Sequence, residues 1–81
     1  MQNKSILLVE DEPTLRTGTE QFLRQRGFEV LTAVSGEEAL EKFTQADVII
    51  LDIMLPGMSG IETLHQIRQT SDVPVLMLTA L

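Results

Sequence analysis

Two apolar runs in this chain each stop at a carboxylate. Residues 6–9 give way to Glu10, Asp11 and Glu12, and residues 48–51 give way to Asp52. Short runs without polar alternation are the pattern of strands buried on both faces, as in a parallel sheet covered by crossover helices. Neighbouring parallel strands deliver their C-terminal residues to one rim, and open α/β sheets bind their ligands at that rim. The chain is thereby constrained to a fold in which Glu10, Asp11 and Asp52 converge.

The punctuation between the runs fits alternating strands and helices. Pro13 stands where a first helical turn begins, a position that loses nothing by lacking an N–H. Over residues 14–26, Leu15, Thr19, Phe22, Leu23 and Arg26 recur at helical spacing and predict the inward stripe, and Gly27 supplies the stop. Residues 28–33 alternate, which predicts a strand at the sheet edge. Ser35 with Glu38 three residues on predicts a capping box for a helix carrying Ala39, Leu40 and Phe43. Residues 47–52 form the next strand. The loop MLPGMSG leads into a helix with Ile61, Leu64 and Ile67 as its predicted buried stripe, and Pro74 introduces a last strand over residues 75–78. Strict alternation defines a doubly wound parallel α/β sheet. Right-handed crossovers, with the alternating second strand at an edge, give the strand order 2-1-3-4.

Composition narrows the function classes. A chain of 81 residues is one domain, burying only roughly 60 % of the surface it exposes when unfolded. A net charge of -6 with six scattered Lys and Arg residues argues against a nucleic-acid or anionic-membrane surface. Without cysteine there is no disulfide framework and no thiolate metal site, which fits a reducing compartment. The apolar runs are far shorter than the ~20 residues of a membrane span, and the opening MQNKSILLVEDE carries acids where a signal peptide would be apolar. The expected location is the cytoplasm.

Three motifs, ILLVEDE, LDIMLPGMSG around Asp52, and PVLMLTA with Thr79 and Ala80 at its end, occur in order and at consistent spacing. Together they resemble the receiver domain of bacterial two-component response regulators, a flavodoxin-like fold, along the entire chain. The resemblance implies a signalling module rather than a turnover enzyme, with Asp52 as phosphoacceptor and a sensor histidine kinase as its partner. It further implies Mg²⁺ held by Glu10, Asp11 and Asp52 with the backbone carbonyl of Met54. Thr79 would contact the phosphoryl group and act as a switch.

The residue types suit that chemistry on their own account. Crowded carboxylates repel one another and raise their pKa values unless a cation is present, and an all-oxygen donor set suits Mg²⁺. The cation would also offset the charge of an incoming phosphoryl group and leave Asp52 free to attack as a carboxylate nucleophile. Bland readings stand beside these. Asp11 or Glu12 would serve equally as a helix cap, and Glu12 is assigned to the solvated helix start. Thr79 would serve as a strand-end residue with a local hydrogen bond, Met54, Leu55 and Met58 as loop packing or an apolar docking patch, and His65 as a solvent-facing neutral side chain.

Complete receivers continue past the fourth strand with a helix, a fifth strand ending in a lysine that pairs with the phosphoryl group, and a final helix. The expectation here is a receiver over residues 1–81 that is C-terminally incomplete and slow to be phosphorylated for want of that charge. An apolar fourth strand at an edge predicts self-association, exchange of elements with a second copy, or completion by a segment outside this sequence. The alternative function is a truncated or engineered fragment serving as a non-signalling folding or self-assembly unit. A flavodoxin-type cofactor binder would need Gly, Ser and Thr donors where EDEP places anions. An aspartate phosphohydrolase would need a second acid two residues after the first, where Met54 stands.

Overall fold

Parallel pairing organises the molecule. β1 (Ser5–Val9) lies between β2 (Glu29–Ala33) and β3 (Val48–Asp52), and β3 pairs on its far side with β4 (Val75–Leu78). All three pairings are parallel and the order is 2-1-3-4, as the apolar runs require. The structure, a computed structural model, describes residues 3–78. Val9 stands opposite Leu51, so the next residues, Glu10 just past β1 and Asp52 at the end of β3, come side by side at the rim.

Period-two alternation divides the strand residues between two faces. Leu7, Val9, Ile49 and Leu51 form the main core with Ala33, Leu55, Ala39 of α2 (Gly36–Lys42) and Ile67 of α3 (Gly60–Arg68). Ile6, Leu8 and Val30 are buried on the other face, where α1 (Pro13–Gln25) packs over β1 and β2. Ser35 caps α2 by accepting the Glu38 N–H at 3.1 Å. Glu38 reaches back to the Val34 N–H rather than to that of Ser35, one residue beyond a standard capping box. A short 3-10 turn, Phe43–Gln45, ends that segment.

Burial corrects two of the predicted stripes. No residue of α1 is fully buried; Leu15 is exposed and Phe22 is 52 % exposed. Helical period marks an apolar stripe without saying what covers it. Phe22 carries the Arg26 guanidinium over its ring at 4.6 Å, so one face of the aromatic meets a cation. In α3, Ile61 is 57 % exposed and Thr63 is buried in its place. The turn is rotated because α2 and α3 approach closely: a Cβ on Gly36 would overlap the Thr63 hydroxyl. Burial of that hydroxyl is tolerated because it donates to the Ser59 carbonyl at 2.8 Å. In β4, Val75 and Met77 face the core, while Leu76 and Leu78 are exposed, Leu76 by 56 %. The all-apolar run of β4 is thus covered on one face and open on the other.

Candidate functional site

The β1–α1 loop is tied at almost every residue. The Glu10 N–H continues the β1–β2 ladder by donating to the Ala33 carbonyl at 3.0 Å. The Glu10 carboxylate then accepts the Glu12 N–H at 3.1 Å, which folds the chain over. Glu12 caps α1, accepting the Leu15 N–H at 2.7 Å, with Pro13 in the first turn. Its assignment to the helix start is correct, and its carboxylate is engaged there.

On the neighbouring strand, Asp52 is only 9 % exposed. One of its carboxylate oxygens, Oδ1, accepts the Met54 N–H at 3.0 Å, which orients the group. The chain then turns back at once: the Gly60 N–H donates to the Ile53 carbonyl at 3.0 Å, and Ser59 caps α3 by accepting the Glu62 N–H. Only glycine fits at position 60, because a Cβ there would overlap the Asp52 carbonyl and come within 2.7 Å of the Ile53 Cα. Leu55 is in the core, the Met54 side chain is exposed and His65 faces solvent.

Glu10, Asp11 and Asp52 each place a carboxylate oxygen so that the three lie within 4.8 Å of one another. Burial grades across the cluster, from buried Asp52 through half-buried Glu10 to exposed Asp11. The Glu10 pKa is raised. Burial is the largest cause, the Asp52 and Asp11 charges and a hydrogen bond with Asp52 add to it, and the Glu12 N–H opposes it. Every donor in the cluster is a hard oxygen, the set that suits Mg²⁺ or a similar cation and not a thiophilic metal. Thr79 lies outside the described residues. A depression of about 480 Å³ over α1, lined by Pro13, Thr14, Thr17, Gly18 and Gln21, includes none of the three acids.

Two residues that shape this rim escaped the sequence reading. In the sequence Gly60 is one residue of the loop MLPGMSG, and Arg16 is one of six scattered bases. Arg16 in fact reaches back from the first turns of α1 to the carbonyls of Glu10 and Asp11. The available signal was its position four residues after Glu12, one helical turn past the cap.

A parallel open sheet with carboxylates from adjacent strands meeting at its switch point defines a doubly wound domain with an acidic ligand rim. The family model for the response regulator receiver domain matches residues 6–81, and the chain belongs to that family. Among curated relatives, the transcriptional regulatory protein AfsQ1 of Streptomyces coelicolor is 44 % identical over 78 residues. That match takes in 94 % of this chain and 35 % of AfsQ1. The response regulator TrrA of Thermotoga maritima, solved in complex with Mg²⁺-BeF, superposes with a TM-score of 0.89 at 44 % identity over 96 % of this chain and 70 % of that one. A structure of the histidine kinase ThkA in complex with TrrA matches with a TM-score of 0.88 at 45 % identity, covering 95 % of this chain and 69 % of that one. The chain spans about a third of the length of the curated relatives it matches. Among the described residues no helix is long and apolar enough to cross a membrane.

Proposed function

We propose that this receiver domain accepts a phosphoryl group on Asp52 from a histidine kinase, with Mg²⁺ held by Glu10, Asp11 and Asp52. The observation that carries the reading is the meeting of those three carboxylates within 4.8 Å at the ends of adjacent strands. The Mg²⁺-BeF complex of TrrA and its complex with ThkA support the ion and the partner. When bound, the ion supplies positive charge that offsets the phosphoryl oxygens.

The chain's own residues do the rest. The Met54 N–H holds the Asp52 carboxylate in place through Oδ1. A carboxylate oxygen of Asp52 attacks phosphorus as the bond from phosphorus to the donor atom breaks. The donor leaves with that electron pair, and Asp52 becomes an acyl phosphate. In this reading the Met54 carbonyl is a further ligand of the ion and Thr79 contacts the phosphoryl group. The domain is a signalling module acting in the cytoplasm, not an enzyme turning over an external substrate.

Mass spectrometry after incubation with a small phosphodonor tests this. The expected result is a single added phosphoryl group, mapped to Asp52, that requires Mg²⁺ and disappears in EDTA. No label, or a label on another residue, would overturn the reading.

A second reading, self-association through β4, is favoured by the exposure of Leu76 and Leu78 on a strand at the end of the sheet order. Light scattering during size-exclusion chromatography should show dimers or larger species as concentration rises, and a monomer throughout would remove it.

A further inference from the structure

The acidic rim has a cation of its own, and it avoids the carboxylates. The Arg16 Nη1 donates to the backbone carbonyl of Glu10 at 3.1 Å and to that of Asp11 at 3.2 Å. The side chain is half-buried, while Leu15 beside it is exposed. It leaves α1 one turn after the cap, where its own N–H donates to the Glu12 carbonyl at 2.9 Å.

From this geometry we infer that Arg16 is a positioning residue for the metal pocket, clamping the backbone of the two acids on the β1 side. The inference rests on the Mg²⁺ reading above and adds to it the residue that sets the pocket's shape. Two loop carbonyls are joined by the two N–H groups of a single nitrogen, Nη1, whose directions are fixed by the planar guanidinium fork. Because the bonds go to carbonyls, all three carboxylates stay available to a divalent ion. A basic side chain placed on the carboxylates themselves would compete with that ion.

The sign of the effect separates this role from a purely electrostatic one. A positive charge near a cation site repels the ion, so if charge alone mattered, removing Arg16 would tighten Mg²⁺ binding. If Arg16 holds the ligands in place, removing it weakens binding. Loss of groups that orient metal ligands typically costs 10- to 100-fold in affinity. Arg16 acts on backbone rather than on ligating atoms, so a loss of about 10-fold is expected.

The test titrates the folded chain with Mg²⁺ alone by calorimetry, for the parent, Arg16→Met and Arg16→Lys. Amide hydrogen exchange at Asp11 and Glu12 is measured in EDTA. Arg16→Met should bind Mg²⁺ about 10-fold more weakly and exchange faster at those two amides. Arg16→Lys, which keeps the charge but not the fork, should fall between it and the parent. A parent that binds while both variants bind as well or more tightly overturns the clamp alone. A parent that does not bind overturns the metal reading and the clamp with it. Should Arg16→Met fail to fold, the Lys variant decides, since a weaker affinity supports the clamp and an unchanged one refutes it.

Discussion

Asp52→Asn is expected to end phosphoryl labelling and, in the absence of Mg²⁺, to make the fold more stable than the parent. The first effect follows because an amide oxygen is no nucleophile toward phosphorus at neutral pH, and no other described carboxylate is as deeply buried at this rim. The second follows from like charges. Two carboxylates about 4 Å apart cost about 1 kcal/mol in bulk water and about 4 kcal/mol at an effective dielectric constant of 20. Asp11 is exposed and Glu10 half-buried, so the lower end applies and a gain of about 1 kcal/mol is expected. Asn keeps an Oδ1 acceptor for the Met54 N–H, so the loop loses no support. Saturating Mg²⁺ should reverse the ranking, because a ligand at 100 times its Kd stabilises the form that binds it by about 2.7 kcal/mol. Urea unfolding midpoints in EDTA and in Mg²⁺ read both arms. An Asn variant less stable than the parent in EDTA would show that the three charges do not oppose one another.

The same substitution should alter the pH dependence of the metal-free fold. A raised Glu10 pKa means that the folded state holds its proton more tightly than the unfolded chain does. That contribution to stability is therefore fully present below the ordinary value of 4.5 and is lost as pH rises through the higher folded value. Asp52→Asn removes the charge of Asp52 but not the burial, the largest cause. The decline above pH 4.5 should become shallower without vanishing.

The extent to which this site was legible from residues follows from what each signal encodes. Continuous apolar runs carry the two-sided burial of β1 and β3, and with chain order that fixes the sheet and the meeting of Glu10 with Asp52. Helical period carries less. It marks Leu15, Phe22 and Ile61 as apolar, but their coverage depends on what lies across from them, and each is exposed. Thr63 is buried because Gly36 comes against it, a property of a pair of residues 27 positions apart that neither displays alone. Arg16 is of the same kind, since its partners are carbonyl groups that every residue possesses.

Gly60→Ala should be the most destabilising single methyl group in the molecule. The three atoms nearest the added Cβ are all backbone: it would overlap the Asp52 carbonyl oxygen and lie 2.7 Å from the Ile53 Cα and 3.0 Å from the Asp52 carbonyl carbon. A flexible side chain can swing away from such a contact, but these atoms are backbone at the end of β3, where Asp52 pairs with Leu78 and the Ile53 N–H donates to the Leu78 carbonyl at 3.0 Å. Relief therefore requires α3 to lift or the end of β3 to move. Lifting α3 withdraws Ile67 from the core and loosens the Gly36–Thr63 contact, while moving β3 displaces Asp52 from Glu10 and Asp11. Overpacking costs typically 1–3 kcal/mol, and with no yielding neighbour the upper value, about 3 kcal/mol, is expected. Net stability near 0.1 kcal/mol per residue gives a chain of 81 residues roughly 8 kcal/mol in all, so the loss removes more than a third of it and should lower the urea midpoint in proportion. Gly18→Ala is the control. Position 18 lies inside α1 with nothing within 4 Å of the added Cβ, so better helix propensity should raise stability by about 0.5–1 kcal/mol. Urea denaturation of the two variants should move in opposite directions. If Gly60→Ala were as benign as Gly18→Ala, the tight return of the chain onto Asp52 would not be what sets the position of that carboxylate.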